Sequence, residues 1–328
     1  MTYTQEKQVA IEAVTRAARL CMAVRAGMVG ADSLEKDDKS PVTIADFGAQ
    51  ALVCQHLRAA FPQDPIVAEE DATDLQKPEN MAKLSQVLAY VQRFEAAATL
   101  EAISQWIDAG NGVVTPQGRY WTLDPIDGTK GFLRNDQYAI ALALVEAGQV
   151  KVGALACPAL PVDLNEPGGE TGVLFIAVRG QGAAMAPLHG GAFVSIHVAS
   201  EATPTGLRFA ESVEAAHGDQ ARQQMIAQAV GITRPSLRMD SQAKYGAVAR
   251  GDAALYLRLP SPKSPDYREK IWDHAAGTLI VEEAGGRVTD MHGQPLDFAN
   301  DYKMRHNRGV VVSNGAMHPA VIEALAQL

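Results

Sequence analysis

Cysteines are scarce in this sequence and long apolar runs are absent, and both features exclude kinds of protein. Its three cysteines, Cys21, Cys54 and Cys157, are odd in number, far apart and in no metal-ligand spacing among 328 residues. We therefore expect buried thiols in a reducing compartment rather than a disulfide framework. No apolar run approaches the ~20 residues needed to cross a bilayer, and the first residues do not resemble a signal peptide. The sequence thus predicts a cytoplasmic protein without a membrane segment.

Positive charge is also in short supply. Lysine and arginine number 29 against 38 acidic residues, which gives a formal net charge of −9. Because a nucleic acid backbone binds to an electropositive face, we expect no nucleic acid polymer as a partner. A small anionic substrate remains compatible with this balance if bound cations invert the local charge.

The length exceeds what one hydrophobic core usually serves, so two domains are expected. After Thr203 the predicted elements change to alternating strands and helices. This change predicts an α+β domain over 1–203 and an α/β domain over 204–328. Apolar periodicity predicts helices over 4–28, 43–61, 81–106, 220–230, 241–249 and 273–284. Strands are predicted over 66–68, 120–123, 138–146, 150–157, 172–179, 193–198, 207–210, 254–259 and 309–313.

The most informative acidic stretch is 124–129, Asp-Pro-Ile-Asp-Gly-Thr, directly after a predicted strand. Pro125 prevents a helix from starting there, and Gly128 permits a tight turn and the close approach of a ligand. Two carboxylates and the free carbonyl of Ile126 offer three oxygen ligands of the kind that Mg²⁺ prefers. The alternative is an aspartate-rich turn on the surface.

Three further acidic positions each have an ordinary explanation. Asp46 fits the capping box Thr43–Asp46, Glu69 and Glu70 resemble solvated loop residues, and Asp273 suits the start of a helix. Yet each acid follows a strand or opens a helix, where α/β folds display reactive groups. If the acids converged, like charges about 4 Å apart would repel by roughly 4 kcal/mol, and the cluster would either recruit cations, which is the simpler outcome, or raise its pKa values. Spacing alone does not show convergence.

These acids lie in motifs that together resemble the inositol monophosphatase superfamily, which comprises magnesium-dependent, lithium-sensitive phosphatases. Within the superfamily, the stretches 39–46, 124–134, 240–245 and 269–274 are most similar to the branch of 3′(2′),5′-bisphosphate nucleotidases. The resemblance runs from about Val9 to His318. One departure is Ala68, where many relatives have glycine, and a methyl group is tolerable there in a strand.

The resemblance implies a fold, a cofactor and a set of catalytic residues. The fold is a layered αβαβα sandwich of the inositol monophosphatase and fructose-1,6-bisphosphatase type, with the site between its domains. Two or three Mg²⁺ ions are implied, held by Glu69, Asp124, the carbonyl of Ile126, Asp127 and Asp273. Asp46 and Thr129 are the implied catalytic residues, which orient and deprotonate the attacking water, and Glu70 is a substitute ligand.

The expected substrate-binding residues are Gly128, Thr129, His217, Ser241, Lys244 and Arg258, and the backbone N–H groups of Gly128 and Thr129 are expected to face the reacting phosphate at the start of a helix. Ser241 and Lys244 are three apart on a predicted helix and so share a face. Arg258 faces the same side of its strand as Tyr256. By resemblance Ser241, Lys244 and Arg258 bind the 5′-phosphate of a nucleotide, and His217 is a candidate to pack on its adenine. The alternatives are solvated charges at Lys244 and Arg258 and an ordinary surface histidine.

The predicted activity is hydrolysis of the 3′-phosphate of adenosine 3′,5′-bisphosphate to AMP and phosphate. The sulfated analogue 3′-phosphoadenylyl sulfate is a further candidate substrate, which would place the protein in sulfur metabolism. One alternative is an inositol polyphosphate 1-phosphatase or inositol monophosphatase, and another is a non-catalytic nucleotide-binding regulator. We expect a monomer or a homodimer.

Overall fold

Two long helices, α1 (Thr4–Val29) and α2 (Ser40–Ala60), open the chain. The computed structural model describes residues 2–29, 40–166, 168–200, 203–214 and 218–327. Small buried residues such as Ala10, Ala17 and Ala51 let these two helices pack closely together and against the sheet that follows. They therefore form the first layer of the fold.

The first sheet has seven strands in chain order. Only β1 and β2 are parallel, and all other neighbours are antiparallel. The strands are β1 (Ile66–Ala68), β2 (Arg119–Asp127), β3 (Ala139–Glu146), β4 (Gln149–Pro161), β5 (Thr171–Val178), β6 (Ala183–Pro187) and β7 (Val194–Ile196). A short 3₁₀ turn (Pro78–Asn80), α3 (Met81–Val91) and α4 (Leu100–Asp108) connect β1 to β2, and α5 (Thr129–Leu133) follows β2.

The second sheet has five strands in the order β11-β12-β10-β8-β9. They are β8 (Phe209–Glu211), β9 (Leu237–Arg238), β10 (Leu255–Arg258), β11 (Arg287–Thr289) and β12 (Val310–Ser313). A second 3₁₀ turn (Pro204–Gly206) precedes this sheet, and its helices are α6 (Gln220–Ala229), α7 (Ala243–Ala249), α8 (Ala275–Glu283) and α9 (His318–Gln327).

The helices and sheets stack in five layers held by three apolar cores. The first core joins α1 and α2 to one face of the first sheet, and the second joins the opposite face to α7 and α8. The third lies between the second sheet and the outer helices α6 and α9. The predicted αβαβα sandwich is confirmed. The two sheets divide between Ile196 and Phe209, and a domain boundary near Thr203 stays a prediction.

The predicted helix over 81–106 was wrong in extent. The structure has α3 and α4 instead, separated by residues 92–99. Thr99 causes the restart because its extended backbone and side-chain oxygen cap α4, accepting from the Ala102 N–H at 3.1 Å. Apolar residues recur at helical spacing on both sides of the break, so periodicity alone predicted one continuous helix.

All three cysteines are buried free thiols, as the sequence predicted. Among the helices of the described residues, none combines the length and apolar character that a membrane crossing requires.

The buried imidazole of His318 joins the start of α9 to the second sheet. Its Nδ1 lies 2.8 Å from Ser313 Oγ, and its Nε2 lies 2.9 Å from Thr289 Oγ1. The Thr289 hydroxyl donates to the Asp290 carbonyl, so Nε2 donates to Thr289 and Nδ1 accepts from Ser313. The fold therefore requires a neutral ring.

This arrangement predicts a loss of stability in acid. Burial, followed by the charge of Arg287, lowers the pKa of His318 from 6.5 to about 4. From pH 6.5 down to about 4 the unfolded chain gains a proton that the folded chain does not, which costs about 3 kcal/mol at most. Urea unfolding of wild type and His318→Gln should therefore show wild type losing more stability than the variant between pH 7 and pH 4.5.

His306, an exposed histidine, provides the control, and His306→Gln should keep the wild-type pH dependence. Acids whose pKa is raised shift stability in the opposite sense, but they are common to all three proteins and cancel in the differences. Equal slopes for wild type and His318→Gln would contradict the proposed role of the neutral ring.

Candidate active site

The parallel pairing of β1 and β2 brings the first acids together. Val67 pairs with Thr122 and Ala68 with Leu123, so Glu69 and Asp124 follow paired positions on the two neighbouring strands. The N–H of Glu69 then donates to the Leu123 carbonyl at 3.2 Å. This register places Glu69 beside Asp124.

Strand β2 continues through the acidic stretch instead of ending at Leu123 as predicted. Asp124 pairs with Ala141 and Asp127 with Ala139, so three steps on β2 oppose two on β3, which is a β-bulge. Pro125 lies in this irregularity, where a missing N–H breaks no regular ladder bond.

Gly128 follows the bulge with φ of +90°, a conformation that favours glycine. A Cβ there would lie 2.9 Å from the Ser241 Cβ, so the glycine also permits close contact with the second half of the chain.

Asp273 reaches the same place from the second half of the chain, two residues before α8 begins. One oxygen from each of Asp124, Asp127 and Asp273 lies within 4.8 Å of the others. Glu69 lines the same cleft of roughly 270 Å³. The structure therefore brings together four acids that are separated by up to 204 positions in the sequence.

Crowding of these acids shifts their proton affinities. Burial, then repulsion by Asp273 and Glu70, raises the pKa of Glu69 to about 8, although its side chain remains open to the cleft. Burial and then Asp273 raise the pKa of Asp127 to about 6. Burial, then Glu69 and Asp127, raises the pKa of the buried Asp124 well above its usual value. Without a counter-charge, the cluster therefore retains protons near neutral pH.

The donor set fits a divalent cation. Asp124 Oδ1 is buried and has no hydrogen-bond partner in the described part of the chain. An orphaned carboxylate oxygen is costly unless something satisfies it. The surrounding donors are also oxygens, as hard cations such as Mg²⁺ require. A cation here would satisfy Asp124 and relieve the repulsion.

The two residues expected to act on water lie next to this cluster. Asp46 is buried in α2, and because this helix begins at Ser40, the predicted capping box at Thr43 is wrong. Burial, then Glu70 and Glu69, raises the pKa of Asp46 well above its usual value. Thr129 opens α5 and lines the cleft, and its hydroxyl lies 3.5 Å from the Ile126 carbonyl, to which it donates.

Ser241 and Lys244 both line the cleft, but they do not share a helix face as predicted. Helix α7 begins only at Ala243, and Ser241 precedes it with φ of +65°. Lys244 is buried, its Nζ donates to the Met239 carbonyl at 3.3 Å, and it lies 5.0 Å from the centre of the Tyr256 ring. Burial lowers the pKa of Lys244 to about 8 against the opposing effect of Asp127.

Arg258 lines the cleft from β10, on the same side as Tyr256. Its Nε lies 2.8 Å from Glu269, and its Nη2 lies 3.9 Å from Asp273. Burial alone would raise the pKa of Glu269, but Arg258 and then His274 lower it to about 2. Arg258 therefore faces the cleft with its position fixed by an ionised carboxylate.

Sequence reasoning missed several residues around the cleft. The Tyr245 hydroxyl lies 2.7 Å from His274 Nδ1, and His274 Nε2 lies 3.1 Å from Glu269, so a buried chain of contacts leads to Arg258. Gln242 also lines the cleft. All four lie in the stretches 240–245 and 269–274 that carry the family resemblance, which is the only signal that could have found them. His217, expected to contact adenine, lies outside the described residues.

Comparison with known proteins gives one consistent result. A protein-family model described as the inositol monophosphatase family matches residues 3–328. Two similar proteins are both named 3′(2′),5′-bisphosphate nucleotidase. The one from Schizosaccharomyces pombe is 46% identical, over 99% of this chain and 96% of the relative. The one from Emericella nidulans is 45% identical, over 100% and 99%. A solved inositol monophosphatase from Anabaena shares the fold, with a TM-score of 0.62 and 19% identity over 100% of this chain and 98% of its own.

Proposed function

The chain belongs to the inositol monophosphatase family, and we propose that it is a magnesium-dependent phosphomonoesterase that converts adenosine 3′,5′-bisphosphate to AMP and phosphate. The observation that carries this proposal is that one cleft holds both an acidic centre and the cations Lys244 and Arg258. The acids suit a metal-assisted hydrolysis, and the cations suit a second phosphate that does not react. A substrate with two phosphates suits both the acidic centre and the two cations.

Five oxygen donors would hold the metal ions: Glu69, Asp124, the Ile126 carbonyl, Asp127 and Asp273. When bound, Mg²⁺ supplies neutralisation of the phosphate charge and a lowered pKa for the attacking water. The chain itself supplies positioning, which phosphoryl transfer needs more than a covalent nucleophile. Its cysteines are buried and lie outside the cleft lining, which agrees with hydrolysis by water.

The other candidate residues in and beside the cleft have proposed tasks of their own. Lys244 and Arg258 hold the 5′-phosphate, with Ser241 adding a hydroxyl. Gly128 leaves room for the reacting phosphate to approach the backbone. The raised pKa of Asp46 makes its carboxylate a stronger proton acceptor, so Asp46, acting with the Thr129 hydroxyl, is suited to take the proton of the attacking water.

A substrate panel with and without Mg²⁺ tests the proposal. We expect phosphate release from adenosine 3′,5′-bisphosphate only with Mg²⁺, with kcat/KM about 100-fold or more above that for inositol 1-phosphate, because a substrate without the second phosphate forgoes the contacts with Lys244 and Arg258. The measurement is phosphate release together with chromatographic identification of AMP.

Two results would overturn this assignment. Equal or faster turnover of inositol phosphates would indicate an inositol polyphosphate 1-phosphatase or inositol monophosphatase. Tight nucleotide binding without Mg²⁺-dependent release would indicate a non-catalytic regulator. Activity on 3′-phosphoadenylyl sulfate, a role in sulfur metabolism, lithium inhibition, a cytoplasmic location and a monomeric or homodimeric state stay predictions that accompany the proposal.

A further inference from the structure

Two buried glutamines contact the backbone segments that carry acids of the cluster. Gln50 in α2 and Gln242 before α7 are 0% and 1% exposed. Neither is an expected metal ligand or substrate contact. Each side-chain amide nevertheless both donates to and accepts from main-chain groups, next to Glu69 for Gln50 and next to Asp273 for Gln242.

Gln50 fixes the segment of Glu69 through both main-chain groups of Glu70. Its Nε2 donates to the Glu70 carbonyl at 2.5 Å, and its Oε1 accepts from the Glu70 N–H at 3.1 Å. The same Nε2 also donates to the Ile107 carbonyl at 3.0 Å, which ties the segment to the end of α4. Since Glu69 is held by β2 on its other side, its backbone is fixed from both directions.

Gln242 connects the two halves of the acidic centre. Its backbone N–H donates to Asp127 Oδ2 at 2.5 Å. Its side-chain Nε2 donates to the Trp272 carbonyl at 2.9 Å, and its Oε1 accepts from the Gly277 N–H at 3.2 Å. The bonds to Trp272 and Gly277 lie on either side of Asp273.

The bond to Gly277 does the work of a helix cap. Gly277 is the third residue of α8, whose first N–H groups lack intrahelical partners. His274, at the capping position, makes no capping bond with its own side chain. Gln242 therefore caps α8 from a different segment, and the segment that presents Asp273 depends on it.

An amide is the group that this location allows. Each glutamine must donate and accept at the same time, which a carboxylate cannot do. A lysine could donate but not accept. A glutamate of the same shape would also add negative charge beside acids that already repel one another.

We propose that Gln50 and Gln242 are positioning residues that set the separation of Glu69, Asp127 and Asp273 for divalent cations. The inference rests on the proposed metal-dependent function, which it deepens. Residues that orient metal ligands typically contribute about 10–100-fold in metal affinity. We expect losses of this size in Gln242→Glu and Gln50→Glu, which keep the shape and the acceptor but lose the donor.

The test measures metal binding directly, by Mn²⁺ electron paramagnetic resonance and Mg²⁺ calorimetry without substrate, on variants shown by circular dichroism to be folded. The control is Gln223→Ala, since Gln223 is equally buried in α6 and makes no side-chain hydrogen bond among the described residues. We expect wild-type metal affinity for the control. We expect Mg²⁺ half-saturation of activity to rise about 10–100-fold in both glutamate variants, with kcat recovering at high Mg²⁺ and KM for substrate little changed.

The possible failures are distinguishable. Wild-type protein that binds no metal would overturn the proposed function together with this inference. Wild-type protein that binds metal, with glutamate variants that bind it equally well, would overturn the inference alone. Should Gln242→Glu fail to fold, Gln242→Ala and Gln50→Glu are measured in the same way, and unchanged affinity in either would count against the proposal.

Discussion

Asp124→Asn is expected to lower kcat about 10³-fold, because the contribution of a bound metal to charge stabilisation amounts to several kcal/mol. Asp124 is the most buried acid of the cluster and the one with an orphaned oxygen. Asparagine keeps the shape but presents one neutral oxygen and a donor to the cation. The measurement is Mg²⁺-dependent phosphate release under saturating substrate.

The same substitution is expected to raise the thermal stability of the metal-free protein. Burial and repulsion raise the pKa of Asp124 in the folded state, so near neutral pH the metal-free fold must either protonate this carboxyl or keep its charge buried, and both cost stability. A neutral asparagine avoids that cost. Wild type should in turn gain stability on Mg²⁺ addition, since a ligand that binds only the folded state stabilises it, and the variant should lose most of this gain. A substitution that lowers activity and raises the stability of the metal-free protein identifies an acid retained for function rather than for folding.

Asp71→Asn is the matched control for this experiment. Asp71 is exposed, lies in the same run of acids as Glu69, and accepts a hydrogen bond from the Thr73 N–H at 2.9 Å. Its replacement should leave the Mg²⁺ dependence intact. An Asp124→Asn protein that is both active and stabilised by Mg²⁺ would contradict the proposed metal centre.

Local sequence patterns predicted the strands and helices of this site better than the residues at which they begin and end. The strand before Asp124 was found, but it was predicted to end at Leu123. A bulge accommodates the proline instead, and the strand reaches Asp127. Similarly, the helix predicted over 241–249 included Ser241, whereas its φ of +65° places it in the turn before α7. At Pro125, pairing with β3 outweighed the local preference of the residue.

The convergence of the acids could not be read from the sequence. Asp273 approaches Asp124 and Asp127 only because α8 packs against the first sheet while its chain belongs to the second half. No spacing encodes that contact. The resemblance to a known family predicted it because relatives with the same motifs share the same topology.

The roles of Gln50 and Gln242 were beyond any sequence pattern. Both bind main-chain groups of distant segments. Because every residue other than proline has the same main-chain groups, no sequence pattern indicates which ones a side chain will contact. A glutamine within an apolar run of a helix, as at Gln50, signals only that a buried amide has partners somewhere. The partners become known only when the chain is folded.

Lys244→Met is expected to convert the enzyme from a bisphosphate-selective to a less selective phosphatase. Lys244 is buried in the cleft and touches the aromatic face of Tyr256, so methionine can fill its space without a charge. A hydrogen bond to a charged group contributes about 1.5–3 kcal/mol, so kcat/KM for adenosine 3′,5′-bisphosphate should fall about 10²-fold. Turnover of a simple monophosphate should change by less than about threefold, which corresponds to under about 0.7 kcal/mol in the barrier.

Lys244 is a better probe of the second phosphate than Arg258, because removing Arg258 leaves Glu269 without its ion-pair partner. Breaking such a buried pair destabilises a protein by about 3–5 kcal/mol, so lost activity could reflect lost fold. Lys244 forms no ion pair within 4.0 Å in the described residues, and its one hydrogen bond is to a carbonyl. The ratio of kcat/KM for bisphosphate and monophosphate substrates therefore isolates charge recognition. An equal loss on both substrates would mean that Lys244 supports the acidic centre through Asp127 and that the second phosphate is bound elsewhere.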